Sequence, residues 1–370
     1  MYSDLTQQYA VSSRHAEADR RRGGWGLAIS PSLKRTAGLL VLGLLSSASA
    51  QTTSPAHLFH QRSIQARTDQ VPESSGVIAS RINPDIYWTH NDSGRYSPRV
   101  YAFRLTAADI ESGVAPDHGY VELQGARLKD WEDIAYGPDN RIYIMDGGDN
   151  PPCKRDGKRI YRFAEPKVDK GIHPLALHVP CEAIRFEYPS TTDASRPAMT
   201  PEERFDAECL LVHPDSGDIY IVTKQDTNKT PTARVYKLSA ADLDWNSEKI
   251  HVLQWVTDIS RPLRLTSYFL TAVTGGDVSR DGRRVVIRNY LAAYEFTLPP
   301  NRPFEEVFRQ LPRFISLLGE PQGEGICYTI DGRKLITTSE VKHLGEQSFR
   351  IYVTPAEPPA ASDTQPEPSR

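Results

Sequence analysis

Acidic residues recur at matching places in this chain, each at the start of a short apolar run. Glu132, Glu208 and Glu324 each stand seven residues before an aspartate that lies in a turn, and Glu73 opens a similar but longer hairpin. Ligand sets that offer carboxylate oxygens without histidine or cysteine favour a hard cation, most simply Ca²⁺. The four glutamates are therefore predicted to be ligands of a calcium ion.

Further roles for these acids stay open at the level of sequence. Carboxylates that converge on a narrow space repel one another, so their negative charge must be balanced or reduced. A bound cation would provide it, as would the neighbouring Lys224 and Arg288, or the protonation of one or two glutamates that could then act as general acids. Alternatively, the acids hold loops in place by accepting hydrogen bonds from backbone amides.

A second group of polar residues is expected on the same face, where the loops after the second strand of each repeat open. These residues are predicted to contact a small polar or anionic ligand: Asn91, Asp92, Asp133, Asp146, Asp149, Asn150, Lys224 and Arg288. His90 is expected to be a hydrogen-bonded wall residue rather than a base. The sequence contains no Ser-His-Asp pattern, nucleophile elbow, P-loop or zinc spacing, so no catalytic residue is identified.

The element that must position these residues is a repeated β-hairpin followed by two further short strands. Four such units have four strands and a fifth has three. This spacing predicts an all-β fold, a single β-propeller with five blades of four antiparallel strands. Six blades are the alternative, because the pattern of residues 257–272 is irregular and could conceal further strands. A strand within residues 57–66 is expected to complete the last blade and close the ring.

Three finer predictions follow from the same register. Residues 250–256 are predicted to form the fourth strand of the third unit. Thr274 takes the place of a glutamate in the fourth unit, which makes Asp277 a turn or capping residue. Trp88, Tyr143 and Tyr220 fall within second strands and are expected to pack between neighbouring units.

The two ends of the chain are expected to lie outside the propeller domain, which is placed at residues 51–355. Lys34 and Arg35 precede an apolar run, and the small residues up to Ala50 resemble a cleavage site. Residues 1–50 are therefore predicted to be a secretory signal peptide with a long n-region, so the protein would be exported, periplasmic or extracellular, with no membrane span. Residues 356–370 are predicted to be a disordered Pro-rich tail.

Charge and cysteine content narrow the choice of partners. Without residues 1–50, which hold six of the 44 Lys/Arg and three of the 47 Asp/Glu, 38 basic and 44 acidic residues remain. This excess of acidic residues argues against a nucleic-acid partner. Separately, we expect the protein to be a monomer. Cys209 and Cys327 are predicted to be buried free thiols, whereas a disulfide between Cys153 and Cys181 is left open.

The chain contains the motifs ESSG (73–76), HNDSG (90–94), DWEDI (130–134), GDN (148–150), DAE (206–208), VTK (222–224) and GEGI (323–326). Together these motifs resemble those of a family of exported bacterial β-propeller proteins without an assigned activity. A remoter resemblance is to calcium-dependent propeller hydrolases: paraoxonase-type lactonases, gluconolactonases and β-propeller phytases. It implies calcium at the central mouth, held by the four glutamates with Asn91 or Asn150 assisting. This chain differs from the lactonases, which usually have six blades and asparagine ligands, because it is predicted to have five blades and glutamate ligands. It also lacks the dense basic lining of the phytases.

The sequence thus predicts an exported propeller that binds a small polar or anionic ligand over a cation at an acidic mouth. If it is an enzyme, the expected reaction is metal-dependent hydrolysis of an ester, lactone or phosphoester, with Lys224 or Arg288 holding negative charge. The alternative is a non-catalytic scaffold that binds a protein or a cell-wall glycan. A carboxylate glycosidase is a third possibility, although the face loops contribute only Tyr96 and Tyr290 as aromatic platforms.

Overall fold

Short antiparallel strands form nearly all of the regular structure, which makes the fold all-β as predicted. The structure is a computed structural model that describes residues 63–94, 96–150, 155–168, 175–189, 205–224, 233–259 and 272–356. In these residues the chain forms 22 strands, numbered β1 to β22 in chain order. The predicted signal peptide, residues 357–370 of the predicted Pro-rich tail and Cys153 lie outside the described residues.

Most strands group into five units of four antiparallel neighbours. The first unit is β2 (Ser74–Ala79), β3 (Ile86–Asn91), β4 (Arg99–Arg104) and β5 (Val114–Gln124). The second is β6 (Trp131–Tyr136), β7 (Arg141–Asp146), β8 (Lys158–Ala164) and β10 (Glu182–Glu187). The third is β11 (Ala207–Val212), β12 (Ile219–Thr223), β13 (Ala233–Leu238) and β15 (Gln254–Ile259).

The fourth and fifth units follow the same order. The fourth is β16 (Val273–Val278), β17 (Arg284–Asn289), β18 (Ala292–Thr297) and β19 (Arg313–Ser316). The fifth is β20 (Gly323–Tyr328), β21 (Lys334–Ser339) and β22 (Arg350–Pro355), beside which lies β1 (Ile64–Arg67) from the other end of the chain. β1 pairs antiparallel with β22 and parallel with β5. A strand that overlaps residues 57–66 therefore pairs where the sequence predicts it.

Helices are few and short in the described part of the chain. Helix α1 (Ala107–Ser112) has a capping box between Thr106 and Asp109 and ends at Gly113, whose φ of 76° suits glycine. Three 3₁₀ helices span Ala240–Asp242, Phe304–Arg309 and Lys342–Leu344. None of the described helices is long and apolar enough to cross a membrane.

The first strands of the five units contact one another in a cyclic order. β2 contacts β6, β6 contacts β11, β11 contacts β16, β16 contacts β20, and β20 contacts β2 again. All of β6, β11 and β20 is buried, as is most of β2 and β16. The all-β fold is therefore propeller-like, with the first strands innermost and their beginnings at a common end.

Apolar clusters fill the spaces between neighbouring units, and each of the three predicted aromatic residues belongs to one. Trp88 packs with first- and second-unit residues, Tyr143 with the second and third, and Tyr220 with the third and fourth. Cys209 and Cys327 are buried free thiols, as predicted. The Cys181 thiol is free and donates a hydrogen bond of 3.3 Å to the Gln124 carbonyl oxygen.

Two strands cross to a neighbouring unit, which the sequence did not predict. β9 (Leu175–Pro180) leaves the second unit and pairs parallel with β5. β14 (Ile250–Val252) pairs parallel with β10, and only the following β15 joins the third unit. The prediction of one strand over residues 250–256 was therefore wrong. Both crossing strands cover sheet edges that would otherwise expose unpaired backbone groups.

Two aspartates, the buried Asp133 and the partly buried Asp277, connect the innermost strands through backbone hydrogen bonds. Asp133 Oδ2 accepts hydrogen bonds from the amides of Leu210 (2.8 Å) and Gly276 (3.3 Å), which joins β6 to β11 and β16. Asp277 Oδ2 accepts one from the Tyr328 amide (2.9 Å), which joins β16 to β20. The prediction of Asp277 as a turn residue was wrong, because Asp277 lies within β16.

A third buried carboxylate connects the outer parts of the first and second units. Glu165 accepts hydrogen bonds from Trp88 Nε1 (2.8 Å) and Asn83 Nδ2 (3.0 Å) of the first unit. The hydroxyls of Ser80 and Tyr136 also donate to it. Because this carboxylate is 6% exposed, its loss would leave several buried donors without an acceptor.

We expect Glu165→Ala to lower the free energy of unfolding by about 2–4 kcal/mol, because several buried donors lose their acceptor together. Urea denaturation followed by tryptophan fluorescence measures the change. Glu187→Ala, at an exposed position of β10, is the matched control and should change stability by less than about 0.5 kcal/mol. Equal effects of the two substitutions would contradict a connecting role for Glu165.

Candidate functional site

Eight carboxylates meet where the innermost strands begin, and we call this cluster the acidic mouth. Its members are Glu73, Asp92, Asp130, Glu132, Asp206, Glu208, Glu324 and Glu340. Asp92 is influenced electrostatically by Asp130, Glu324, Glu73 and Glu340. The structure thus brings all four predicted glutamates into one cluster and adds four further acids to them.

Glu132 lies at the centre of the closest contacts. One oxygen from each of Asp92, Asp130 and Glu132 lies within 4.8 Å of the other two, and the same holds for Glu132, Asp206 and Glu208. We call these sets the first and the second triad. Glu132 belongs to both, and it is 4% exposed.

Irregularities in strand pairing place the glutamates at this mouth. The pairing of first and second strands shifts register across Glu132, Glu208 and Glu324, and also across Thr274 and after Ser74. Such bulges turn a side chain out of the regular alternation and are common beside functional sites. The recurrence of the shift in all five units explains why residues at one register position converge.

Gly148 permits the close approach of the carboxylates in the first triad. A Cβ atom at this position would lie 1.8 Å from Glu132 Oε1 and 2.5 Å from Asp130 Oδ2. The Gly148 amide also donates a hydrogen bond of 3.2 Å to the Asp130 carbonyl oxygen. Any side chain at this position would push the two carboxylates apart.

Lys224 compensates the second triad. Its Nζ lies 2.7 Å from Glu208 Oε1 and 4.0 Å from Asp206 Oδ2. Burial favours the neutral amine, but Glu208, Tyr290 and Asp206 outweigh it and hold the pKa of Lys224 well above its usual range. Lys224 therefore carries a positive charge that is permanently directed at the second triad.

The remaining glutamates of the predicted set have partners of their own. Glu73 forms an ion pair with Lys342, and Glu324 accepts a hydrogen bond of 3.1 Å from Gln322 Nε2. Gln322 also donates to Glu340. Within the acidic mouth, the carboxylates of the first triad therefore have the fewest ion pairs and hydrogen bonds among the described residues.

The electrostatic state of the first triad follows from this shortage of positive charge. Among the described residues, no hydrogen-bond donor contacts the Glu132 carboxylate. Burial, together with Glu208 and Asp92, raises its pKa well above the usual range. Burial and the neighbouring Asp130 raise the pKa of Asp92 to about 8, and burial raises that of Glu324 to about 7. The metal-free mouth must therefore retain protons near neutral pH.

Unpartnered oxygen atoms are a second sign that the acidic mouth can accommodate a ligand. Asp206 is 4% exposed, and its Oδ2 has no hydrogen-bond donor among the described residues, although Oδ1 accepts one from the Asp149 amide at 2.7 Å. Asp92 Oδ1 and Glu73 Oε2 are likewise buried atoms without a donor there. Oxygen atoms of this kind are normally satisfied by hydrogen bonds, water or an ion.

Several of the predicted ligand-binding residues are occupied by contacts that hold the fold. Asn91 connects the Glu73 amide (3.2 Å) and the Gln70 carbonyl oxygen (2.8 Å). Arg288 is fully buried, with Nη2 lying 2.9 Å from Glu320 Oε2. Asp133 is saturated by the backbone amides described above and therefore lies outside the candidate site.

The end of β7 and the loop after it supply two acids that already have basic partners. Asp146 is paired with Arg155 and accepts a hydrogen bond of 3.1 Å from the Asp130 amide. Asp149 Oδ2 lies 3.0 Å from Lys158 Nζ. Both acids therefore position the loop beside the first triad. Asn150 is exposed at the edge of this loop.

Asp130 and Asp206 are site residues that the sequence analysis did not select. Each stands two positions before a mouth glutamate, in the repeated patterns Asp130-Trp-Glu132 and Asp206-Ala-Glu208. The repetition of this Asp-x-Glu spacing was the signal that could have identified them. His90 is a buried wall residue, whose Nδ1 lies 3.0 Å from the Asn91 carbonyl oxygen and whose pKa burial lowers to about 4.

Comparison with known proteins assigns no family to this chain. No family model matches the sequence, and no curated protein matches it. A solved structure from Thermus thermophilus, described as a candidate oxidoreductase (glucose dehydrogenase), is similar with 13% identity and a TM-score of 0.35. The match covers 76% of this chain and 84% of that one. A likeness this weak assigns neither fold nor activity, so the resemblances named above stay predictions.

The raised pKa values predict how the stability of the metal-free protein depends on pH. Folded-state pKa values above the unfolded ones give a contribution that is fully present below about pH 4 and is lost as the pH rises through about 7 for Glu324 and about 8 for Asp92. With a chelator present, we expect the melting temperature to fall between about pH 5 and pH 8.5. Glu132→Gln, which mimics the protonated acid, should make this fall shallower by about 2 °C or more.

Differential scanning calorimetry across this pH range tests the prediction. Glu248→Gln is the control, because its side chain is 92% exposed and should leave the pH dependence as in the unchanged protein. A melting temperature of the metal-free protein that rises over this range, or equal pH dependence in both variants, would show that the acidic mouth does not hold protons.

Proposed function

We propose that the five units are the blades of one β-propeller that is closed by β1 as the outer strand of the fifth blade. Support comes from the cyclic contacts of the five first strands and from the pairing of β1 with β22. In the described residues, the antiparallel sheets supply five such units and no sixth. Closing a ring with strands from both chain ends removes exposed sheet edges.

We further propose that the acidic mouth binds a divalent hard cation, most simply Ca²⁺, and that a small polar or anionic ligand binds over this cation. The observation that carries the proposal is the Glu132 carboxylate, which is buried among four other carboxylates and has no cationic partner of its own among the described residues. A carboxylate set without histidine or cysteine suits calcium.

The first triad is the better cation site of the two. Lys224 already supplies a positive charge to the second triad, where its Nζ contacts Glu208. Asp92, Asp130 and Glu132 form no ion pair in the described part of the chain, although Arg155, which is paired with Asp146, also attracts the charge of Asp130. Asp92 Oδ1 is among the oxygen atoms that lack a donor there. The proposed ligands are therefore Asp92, Asp130 and Glu132, and Asp206 Oδ2 extends the set on the other side of Glu132.

This assignment narrows the ligand set that the sequence suggested. Glu132 stays central, whereas Glu208 is paired with Lys224, Glu73 with Lys342, and Glu324 with Gln322. These three glutamates contribute negative potential to the acidic mouth from a short distance. Removing any one of them should weaken cation binding less than removing Glu132.

If the site is catalytic, the residues fit hydrolysis of an ester, lactone or phosphoester. The cation would polarise a carbonyl or phosphoryl oxygen. Lys224 is buried, charged and adjacent, so it is placed to stabilise negative charge on a bound substrate. Arg288 is not available for this role, since its guanidinium group is fully buried against Glu320.

We expect the purified protein to contain about one calcium ion per chain and to lose about 4 °C in melting temperature when a chelator removes it. The estimate takes a calcium concentration about a hundred times the Kd, which stabilises by about 2.7 kcal/mol. Elemental analysis and calorimetry are the two measurements. Glu132→Gln and Asp92→Asn should abolish both the bound calcium and the shift, whereas Glu248→Gln should keep them.

A separate assay decides between an enzyme and a non-catalytic binding protein. We expect the calcium-loaded protein to hydrolyse a member of an ester, lactone and phosphoester panel, and Lys224→Met to lower kcat by about tenfold or more while calcium stays bound. Calcium binding without turnover on this panel would favour the scaffold alternative. Absence of both calcium and a chelator effect would refute the cation site.

A further inference from the structure

A second polar pocket lies at the other end of the innermost strands, beyond the hairpin turns. It has a volume of about 390 Å³, which is within the range of small-molecule sites. The turns of the first four units line it, with Arg81 from the first, Pro138, Asp139 and Asn140 from the second, Asp215 from the third and Arg280 from the fourth. The acidic mouth uses none of these residues.

A smaller cavity adjoins this pocket and shares two of its residues. It has a volume of about 20 Å³, enough for one water molecule, and is lined by Arg81, Arg280, Asp277, Tyr136 and Tyr328. Asp277 accepts hydrogen bonds from the amides of Val278 and Tyr328, so its carboxylate is engaged with backbone. The two cavities together occupy the turn end of all five units.

Two arginines line this end of the molecule together with three aspartates, Asp139, Asp215 and Asp277. Arg81 is half-buried, lies 4.4 Å from the centre of the Tyr136 ring and donates to the carbonyl oxygens of Tyr136 (3.4 Å) and Gly137 (3.3 Å). Arg280 is exposed and lines the same pocket. Neither forms an ion pair with any of the described residues. The charge of Arg81 is attracted by Asp277 and Asp215 and repelled by Arg280.

We propose that this pocket binds a small molecule that carries a carboxylate or phosphate group, held between Arg81 and Arg280. A planar guanidinium group matches both oxyanions through paired hydrogen bonds. Asp139 and Asp215 line the same pocket, so hydroxyl or amino groups of the same ligand would face acceptors there. The site does not depend on the cation proposed for the acidic mouth, and either proposal can fail alone.

Arg280 offers a clean variant because it is exposed and holds no described part of the fold. Arg81, in contrast, contacts the neighbouring turn, so its substitution would mix binding with stability. Arg283 is the matched control, since it is an exposed arginine of the same hairpin and lines neither cavity. Both Arg280→Gln and Arg283→Gln are expected to keep the melting temperature of the unchanged protein.

Isothermal titration of the full chain with inorganic phosphate and, separately, with succinate at low ionic strength tests the proposal. We expect one saturable binding event with at least one of these probes, and the probe that binds identifies which oxyanion the pocket takes. Arg280→Gln should raise its Kd about tenfold or more, whereas Arg283→Gln and Glu132→Gln should not change it.

Three results would overturn the proposal. One is the absence of saturable binding with both probes. Another is an equal loss of affinity in Arg280→Gln and Arg283→Gln, which would indicate a general effect of surface charge. The last is loss of binding in Glu132→Gln, which would place the anion at the acidic mouth and not in this pocket.

Discussion

The close approach of the innermost strands is the constraint on which the rest of the structure depends. A Cβ atom on Gly276 would lie 2.7 Å from Cys209 Sγ, and one on Gly325 would lie 2.5 Å from the Ser75 carbonyl oxygen. Strands this close leave no room for water between them, so their inward amides need internal acceptors. The carboxylates of Asp133 and Asp277 supply these acceptors, so both residues stabilise the fold and are not assigned to the candidate site.

The same convergence explains why the acidic mouth has its unusual charge state. A bulge at the start of each first strand turns one residue toward a shared space, and in four of the five units an acid stands there or immediately before the strand. Lysines from neighbouring loops compensate two of these acids, Glu208 and Glu73. Glu132, in contrast, has no basic partner among the described residues. The five units are otherwise alike, so this missing ion pair is what distinguishes the candidate site.

The sequence predicted the repeated elements well because turn chemistry and alternation are local properties. The hairpins, the register of Glu132 and Glu208, and the strand before the first unit follow from spacing alone. Crossing strands such as β9 and β14 could not be predicted, since their pairing depends on which sheet edges remain open after the units assemble. Nor could the burial of Arg288, because its partner Glu320 lies outside the strands, in the segment between β19 and β20. Asp206 was recoverable from its Asp-x-Glu spacing and was missed.

If the acidic mouth binds a cation as proposed, competition between protons and that cation connects this geometry to function. Carboxylates whose pKa values are raised by burial and by one another hold protons when no metal is present, and a cation would have to displace these protons to bind. Lys224 remains charged throughout, so it acts as a fixed electrostatic element and not as a base. The acidic mouth should therefore respond steeply to pH near neutrality, where Asp92 and Glu324 change charge, while Arg81 and Arg280 at the other end stay protonated.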